Sequence, residues 1–433
     1  MNDKCVDRLE KVLSEISKRN GALKIVTDLD AEKAFDAAKA SEKRWQEQKE
    51  LGPLDGLILA VKDNISVCGL RWSAGLGAWK NRIATKDARV IKSLRDAGAI
   101  VFSMVNMHEG ALGATTNNPH FGRTANPLDF ERTPGGSSGG SAAAIAAGLA
   151  DAALGTDTMG SVRIPAAYCG VVGLKPTCGL VPRDGLHFLS PSLDTIGPMA
   201  PDIDTLGYMI KIMAGTSKSD PLSRTTPLEW MKKPIEANPS GIIIGIPTQL
   251  NLVACEAAVI DSLAITRIAL EKYGAKVVDV DVLGWNPSCA RRAGLLIAEA
   301  EGAVALKNIL DFPGQDLMSN ELRSLLAYGR DAPRNKLIDA YNCIKATAVA
   351  TIKIFEQVDA LLMPTAPQQA FRHSDPVPKN QADFTSLANF FGGPSLAIPV
   401  PSNNLPNSVQ IVGPEFSEAL ILSIGKSIEQ NLA

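Results

Sequence analysis

The fold expected from the sequence is an α/β sandwich: a single domain, residues 1–433, with helices on both faces of one large mixed, twisted β-sheet. Three observations lead there. The apolar runs Leu57–Val61 and Ala99–Val105 are short, have few polar residues, and are separated by a helix-patterned segment, as buried parallel strands are. A second strand, helix, strand run extends from Gly241 to Val280. The tail adds the short strands Ser395–Pro399 and Ser408–Gly413 before a closing helix from about Ser417.

In chain order, Cys5, Leu9, Val12, Leu13 and Ile16 fall on one face of a first helix. A short strand at Leu23–Val26 and a second amphipathic helix to about Glu50 complete an N-terminal layer. The core, about residues 51–215, opens with the Leu57–Val61 strand, which ends in Lys62-Asp63-Asn64. A lysine at the carboxyl end of a buried strand stands where ligands bind in open α/β sheets, although an ordinary lysine leaving the sheet would look the same. Asp87 is placed to cap a helix carrying Val90, Ile91 and Leu94, and Gly98 to end it. Turn formers fill 115–130, and a helix is expected over Ile203–Met213. The variable second half, about 216–433, begins with a surface connection between Pro227 and Pro239. It continues with a helix at 255–273, a strand at 276–280, a mostly helical region at 283–335, a helix at 337–357 and a strand at 360–365.

Composition narrows the class of function. With 45% hydrophobic residues the chain can bury a large core, and 44 basic against 46 acidic side chains give a formal net charge of −2. That balance offers no footprint for nucleic acid or an anionic membrane. No stretch reaches the roughly 18 apolar residues of a membrane span, and Met1–Asp7 shows no signal segment. Seven cysteines without paired spacing read as reduced thiols in a cytoplasmic protein, and no Cys/His pattern predicts a metal or other cofactor.

The chemistry concentrates in two loops, Gly135-Gly136-Ser137-Ser138-Gly139-Gly140-Ser141 and Gly155-Thr156-Asp157-Thr158-Met159-Gly160-Ser161-Val162-Arg163, with the small-residue helix around Ala142–Ala147 between them. Glycine at this density lets backbone N–H groups converge on a ligand, and the packed alanine run argues against a flexible linker. Gly135–Gly139 fits G-x-S-x-G, but no buried strand precedes it, as a nucleophile elbow requires. None of His108, His120, His187 and His373 stands in a motif pairing it with a serine.

These loops, the following Pro165–Thr177 and the upstream Ala60-Val61-Lys62-Asp63-Asn64 resemble the amidase signature family, most densely from about 130 to 200. The resemblance implies a serine–serine–lysine triad: Ser161 the nucleophile, Ser137 a bridging serine on a cis peptide, and Lys62 the base. It also implies oxyanion donors at the backbone N–H groups of Thr158, Met159, Gly160 and Ser161, with Ser138, Asp157 and Arg163 in support. For Lys62 to accept a proton its pKa must fall from about 10.4 to roughly 7–8, which burial can achieve. Met159 stands where family members commonly carry glycine, and a thioether there is expected to shape the acyl pocket.

The function expected is hydrolysis of a small-molecule amide, urea or carbamate C–N bond through a Ser161 acyl-enzyme, without nucleic acid or membrane, and in the homodimer that the family suggests. The alternative is the glutaminase-type A subunit of a tRNA-dependent amidotransferase, a partner-dependent enzyme; that subunit usually has glutamine where this chain has Ile164. Specificity is expected from the connections at 115–130, 183–192, 283–335 and 366–390. Tyr328, Arg330, Phe371 and Phe391 are candidate pocket residues, with ordinary packing or surface placement as the competing reading.

Overall fold

The strands form because short β-branched and aliphatic runs can bury both faces only inside a sheet covered on each side. In the computed structural model, which describes residues 4–224, 235–312, 314, 316–402 and 404–432, this produces one continuous sheet. In chain order the strands are β1 (Val26–Leu29), β2 (Ile58–Lys62), β3 (Ile100–Val105), β4 (Asn117–Asn118), β5 (Gly122–Arg123), β6 (Ala152–Asp157) and β7 (Val172–Lys175). They continue with β8 (Thr195–Ala200), β9 (Ile243–Pro247), β10 (Lys276–Val280), β11 (Ala360–Pro364), β12 (Ser395–Val400) and β13 (Asn407–Val412). β4 and β5 pair only with each other; among the described residues the other eleven lie in the order β1-β3-β2-β6-β8-β7-β12-β13-β11-β9-β10. β2 runs parallel to β3 and β6, whereas β8 is antiparallel to β6 and β7, so the sheet is mixed as expected.

Alternation along β2 shows how the sandwich is built. Ile58 and Ala60 enter one core with Leu9 of the first helix and Ala142–Ala144 of helix Gly139–Ala146. Leu59 and Val61 enter the opposite core with Ile91, Ile203 and Leu206. Both faces of the strand are therefore dry, and Lys62 at its end is 0% exposed. A smaller core under helices Pro287–Ala305 and Asn320–Arg330 joins Met107 and Leu112 to Ala298, Leu322 and Leu326.

Several boundaries differ from expectation. The first helix runs to Leu23 and ends at Lys24 in a left-handed conformation (φ 52°), so the strand expected at 23–26 begins at Val26. Helix Ala31–Gln46 stops short of Glu50. Ala88, not Asp87, occupies the N-cap of helix Arg89–Asp96; the Asp87 carboxylate accepts from the Cys68 N–H instead. The Ile203–Met213 helix is as expected, and β6, β7 and β8 are central strands without an expected counterpart. Residues 227–234 of the connection expected between Pro227 and Pro239 lie outside the described residues. No helix among the described residues is long and apolar enough to cross a membrane.

Phe102 of β3 is fully buried in the core that Ile58 and Ala60 enter. Phe102→Ala is predicted to lower unfolding stability by about 3–5 kcal/mol, read from a urea titration.

Candidate functional site

β2 and β6 are adjacent parallel strands, so their carboxyl ends bring Lys62 beside Thr156 and Asp157. The Lys62 ammonium nitrogen lies 2.7 Å from Ser137 Oγ and 2.7 Å from Thr156 Oγ1. The Gly136–Ser137 peptide bond is cis. Close packing explains the glycines here: a Cβ at Gly136 would come within 2.7 Å of the Thr115 nitrogen, and one at Gly140 within 2.2 Å of the Asn106 carbonyl. Ser138 ties this loop to β6, its Oγ donating to the Thr156 carbonyl and accepting from the Thr156 N–H, both at 3.2 Å. Burial lowers the Lys62 pKa to about 7, with Asp194 and Asp157 as the opposing influences.

The loop after β6 is held by a buried ion pair. Asp157 accepts two bonds from Arg163, 3.0 Å from Nε and 2.9 Å from a terminal nitrogen, and both side chains are fully buried. Burial alone would raise the Asp157 pKa, but the Arg163 charge and hydrogen bonds hold it at about 2. Arg163 also reaches Gln410 Oε1 at 2.9 Å, Asn389 Oδ1 at 2.7 Å and Ser395 Oγ at 3.3 Å, so the second half of the chain completes the loop's support. The Gly160 N–H, expected among the oxyanion donors, donates to Asp157 Oδ1 at 2.7 Å instead. Its φ of +132° and the 2.2 Å approach of Thr385 Oγ1 to an added Cβ explain why glycine stands there.

Ser161, Thr158 and Met159 line a cavity of about 270 Å³. Its walls are mostly apolar, among them Leu112, Ile164, Leu189, Leu295, Leu325 and Ala382, while Arg291, Glu321 and Lys379 bring charge. Arg291 is paired with Asp383 at 2.5 Å. All four connections expected to supply specificity contribute to this lining, through Thr115, through Leu189, through Arg291, Leu295 and Leu325, and through Val377 and Ala382. Met159 Sδ would lie 2.7 Å from a Cβ at Gly294, so the thioether is seated in the gap that glycine leaves in helix Pro287–Ala305.

The four aromatic and basic candidates are not in this cavity. Tyr328 is 58% exposed, Arg330 pairs with Asp331, Phe371 packs edge-on against Tyr168, and Phe391 packs against Phe355. Sequence reasoning did not single out Thr156, His108, Asp194, Thr385, Asn389 or Gln410. His108 lines the cavity, and burial first, then Lys62, push its pKa down to about 4. Thr156 lies within the second glycine-rich stretch, but nothing there marked it as a Lys62 partner; the others come from different parts of the chain, Thr385 and Asn389 both from helix Ser386–Phe391 and its N-cap.

The amidase family model matches residues 7–422. The chain belongs to the amidase signature family. The A subunit of glutamyl-tRNA(Gln) amidotransferase from Carboxydothermus hydrogenoformans is 34% identical over 91% of this chain and 87% of its own length. A structure of the corresponding polypeptide from Thermotoga maritima is 29% identical, with a TM-score of 0.83 over 100% of this chain and 94% of that one. A chain from a vestigial protein complex, described as revealing the evolutionary origins of an s-triazine catabolic enzyme, is 30% identical, with a TM-score of 0.90 over 98% of this chain and 95% of that one. As a member of this family, the chain is a C–N hydrolase.

These relatives correct the expectation of a small-molecule partner with no nucleic acid: proteins matched along nine-tenths of the chain are one subunit of an enzyme named for glutamyl-tRNA. The net charge of −2 speaks only to direct RNA contact by this chain. One component of an assembly serving a tRNA-linked reaction needs no basic face of its own.

Arg163→Met is predicted to cost about 3–5 kcal/mol of unfolding stability by leaving Asp157 buried without its cation. Adding Asp157→Asn should recover part of that loss; equal unfolding midpoints for wild type and single variant would contradict the assignment.

Proposed function

We propose that this chain is the amide-cleaving subunit of an amidotransferase-type assembly, a glutaminase-type A subunit that works with a protein partner. The observation that carries this reading is the match to amidotransferase A subunits along 91% of the chain. The geometry around Lys62 supports a chemistry for it. Ser161 Oγ attacks the carboxamide carbon while its proton passes through Ser137 to neutral Lys62. The oxyanion is met by the N–H groups of Thr158, Met159 and Ser161, with Gly160 committed to Asp157. Collapse breaks the C–N bond, and the proton returns through Ser137 to the leaving nitrogen, which departs as ammonia. Water then attacks the acyl-Ser161 ester by the same route, releasing the acid and restoring the serine.

A second reading concerns the amide rather than the assembly. The largely apolar cavity wall, Ile164 included, favours a neutral acyl group, whereas Glu321 and Lys379 in the same lining are the charges that the head of a free amino acid would need.

The test is ammonia release from glutamine and from neutral aliphatic and aryl amides by the chain purified together with its partner. Release that falls at least about 10³-fold in Ser161→Ala is expected, and the better substrate decides between the two readings. A folded complex that releases ammonia from none of them, or a Ser161→Ala variant of wild-type rate, would contradict the proposal.

A further inference from the structure

The segment between Arg183 and Asp194 is fastened at two points. Asp194, 2% exposed, accepts from the Leu189 N–H at 2.7 Å and the Ser190 N–H at 3.1 Å through Oδ2, and from Thr158 Oγ1 at 2.6 Å through Oδ1. Glu301, on helix Pro287–Ala305, accepts from Ser190 Oγ at 2.6 Å and the Ser192 N–H at 3.1 Å, and also from Ser192 Oγ. Leu189, between these fastenings, forms part of the cavity wall, and Thr158 opens the loop that leads to Ser161.

We propose that Asp194 is a positioning residue for the reaction at Ser161: through the Thr158 hydroxyl it fixes the 158–161 loop against the 189–194 segment, while Glu301 holds the middle of that segment, Ser190 and Ser192, to helix Pro287–Ala305. The inference rests on the reading of Ser161 as nucleophile. An oxyanion site works by donors fixed in advance, and a carboxylate taking three hydrogen bonds from two segments is a stiff way to fix one against the other. A misplacement on the order of 1 Å in such a loop costs about 10²-fold in rate.

Asp194 has a second lever, its charge. Among the described residues, the charged groups that act on Lys62 are Asp157, at the end of β6, and Asp194; burial first and Lys62 second push the His108 pKa down to about 4, so that ring is neutral near pH 7. Arg183 donates to the Asp194 carbonyl at 3.2 Å, but its guanidinium is paired with Asp220. Burial raises the Asp194 pKa, against the hydrogen bonds from Thr158, Ser190 and Leu189 and the Lys62 charge; in its ionised form Asp194 favours protonated lysine, so removing it lets burial lower the Lys62 pKa further. The acid limb of any reaction that needs neutral Lys62 then moves to lower pH.

A small alkyl fluorophosphonate tests this without knowledge of the natural substrate. Ser161 Oγ forms the O–P bond, the P–F bond breaks, fluoride leaves and the hydroxyl proton goes through Ser137 to Lys62. Labelling rates are measured against pH and probe concentration for wild type, Asp194→Asn, Thr158→Val and Thr158→Ser. The expected result is a fall of about 10–100-fold in the maximal rate for Asp194→Asn and Thr158→Val, with little change in the half-saturating probe concentration. The acid limb should shift downward in Asp194→Asn alone, and Thr158→Ser, which keeps the hydroxyl, should stay within about threefold of wild type.

Folded Thr158→Val that labels at the wild-type rate, or Thr158→Ser as slow as Thr158→Val, would overturn the proposal even if Asp194→Asn does not fold. A folded wild type that is not labelled at Ser161 would instead remove the nucleophile assignment itself, and this inference with it.

Discussion

A lysine that is kept dry is the constraint on which the site depends. Lys62 is buried because β2 lies between β3 and β6 with a core on each face, and its side chain has to end among oxygens that can accept from it. Ser137 and Thr156 supply them, one from the loop before helix Gly139–Ala146 and one from the neighbouring strand. The nearby carboxylates of Asp157 and Asp194 limit how far burial can lower its proton affinity. A fully apolar pocket would neutralise the lysine too far for a useful base, and an exposed one would leave it charged.

The same economy explains why the second half of the chain belongs to the site. Arg163 neutralises Asp157, yet a guanidinium buried among apolar side chains needs further acceptors. Gln410 on β13, Ser395 on β12 and Asn389 from the preceding helix provide them. The loop that carries Ser161 is thus fixed by strands more than 200 residues away in sequence. Thr385, donating to the Met159 carbonyl at 2.6 Å, adds another such bond.

What the sequence disclosed follows from this arrangement. Local signals were legible: the apolar run before Lys62, the glycine–serine loops, the amphipathic first helix and the Ile203–Met213 helix. β6 was not, because Ala152-Ala153-Leu154-Gly155 carries little of the β-branched signal by which strands are read, although it is central to the sheet. Asp194, His108, Asn389 and Gln410 were missed for a different reason: the site groups they meet, Thr158, Lys62 and Arg163, are far off in sequence, so no spacing marks them. The Gly160 N–H was miscounted as a free donor because a carboxylate three residues back turns onto it, a feature of loop geometry rather than of residue type. The partner expectation failed because whole-chain charge describes direct contact and carries no information about assembly.

The most direct test is the titration of Lys62 itself, followed by NMR in protein carrying ¹³C-labelled lysine, with Lys62→Met to assign the signal. A buried, neutralisable lysine predicts a midpoint near 7, about three units below an exposed one. A midpoint near 10.4 would mean a charged lysine at neutral pH, and the proton route from Ser161 through Ser137 would fall with it.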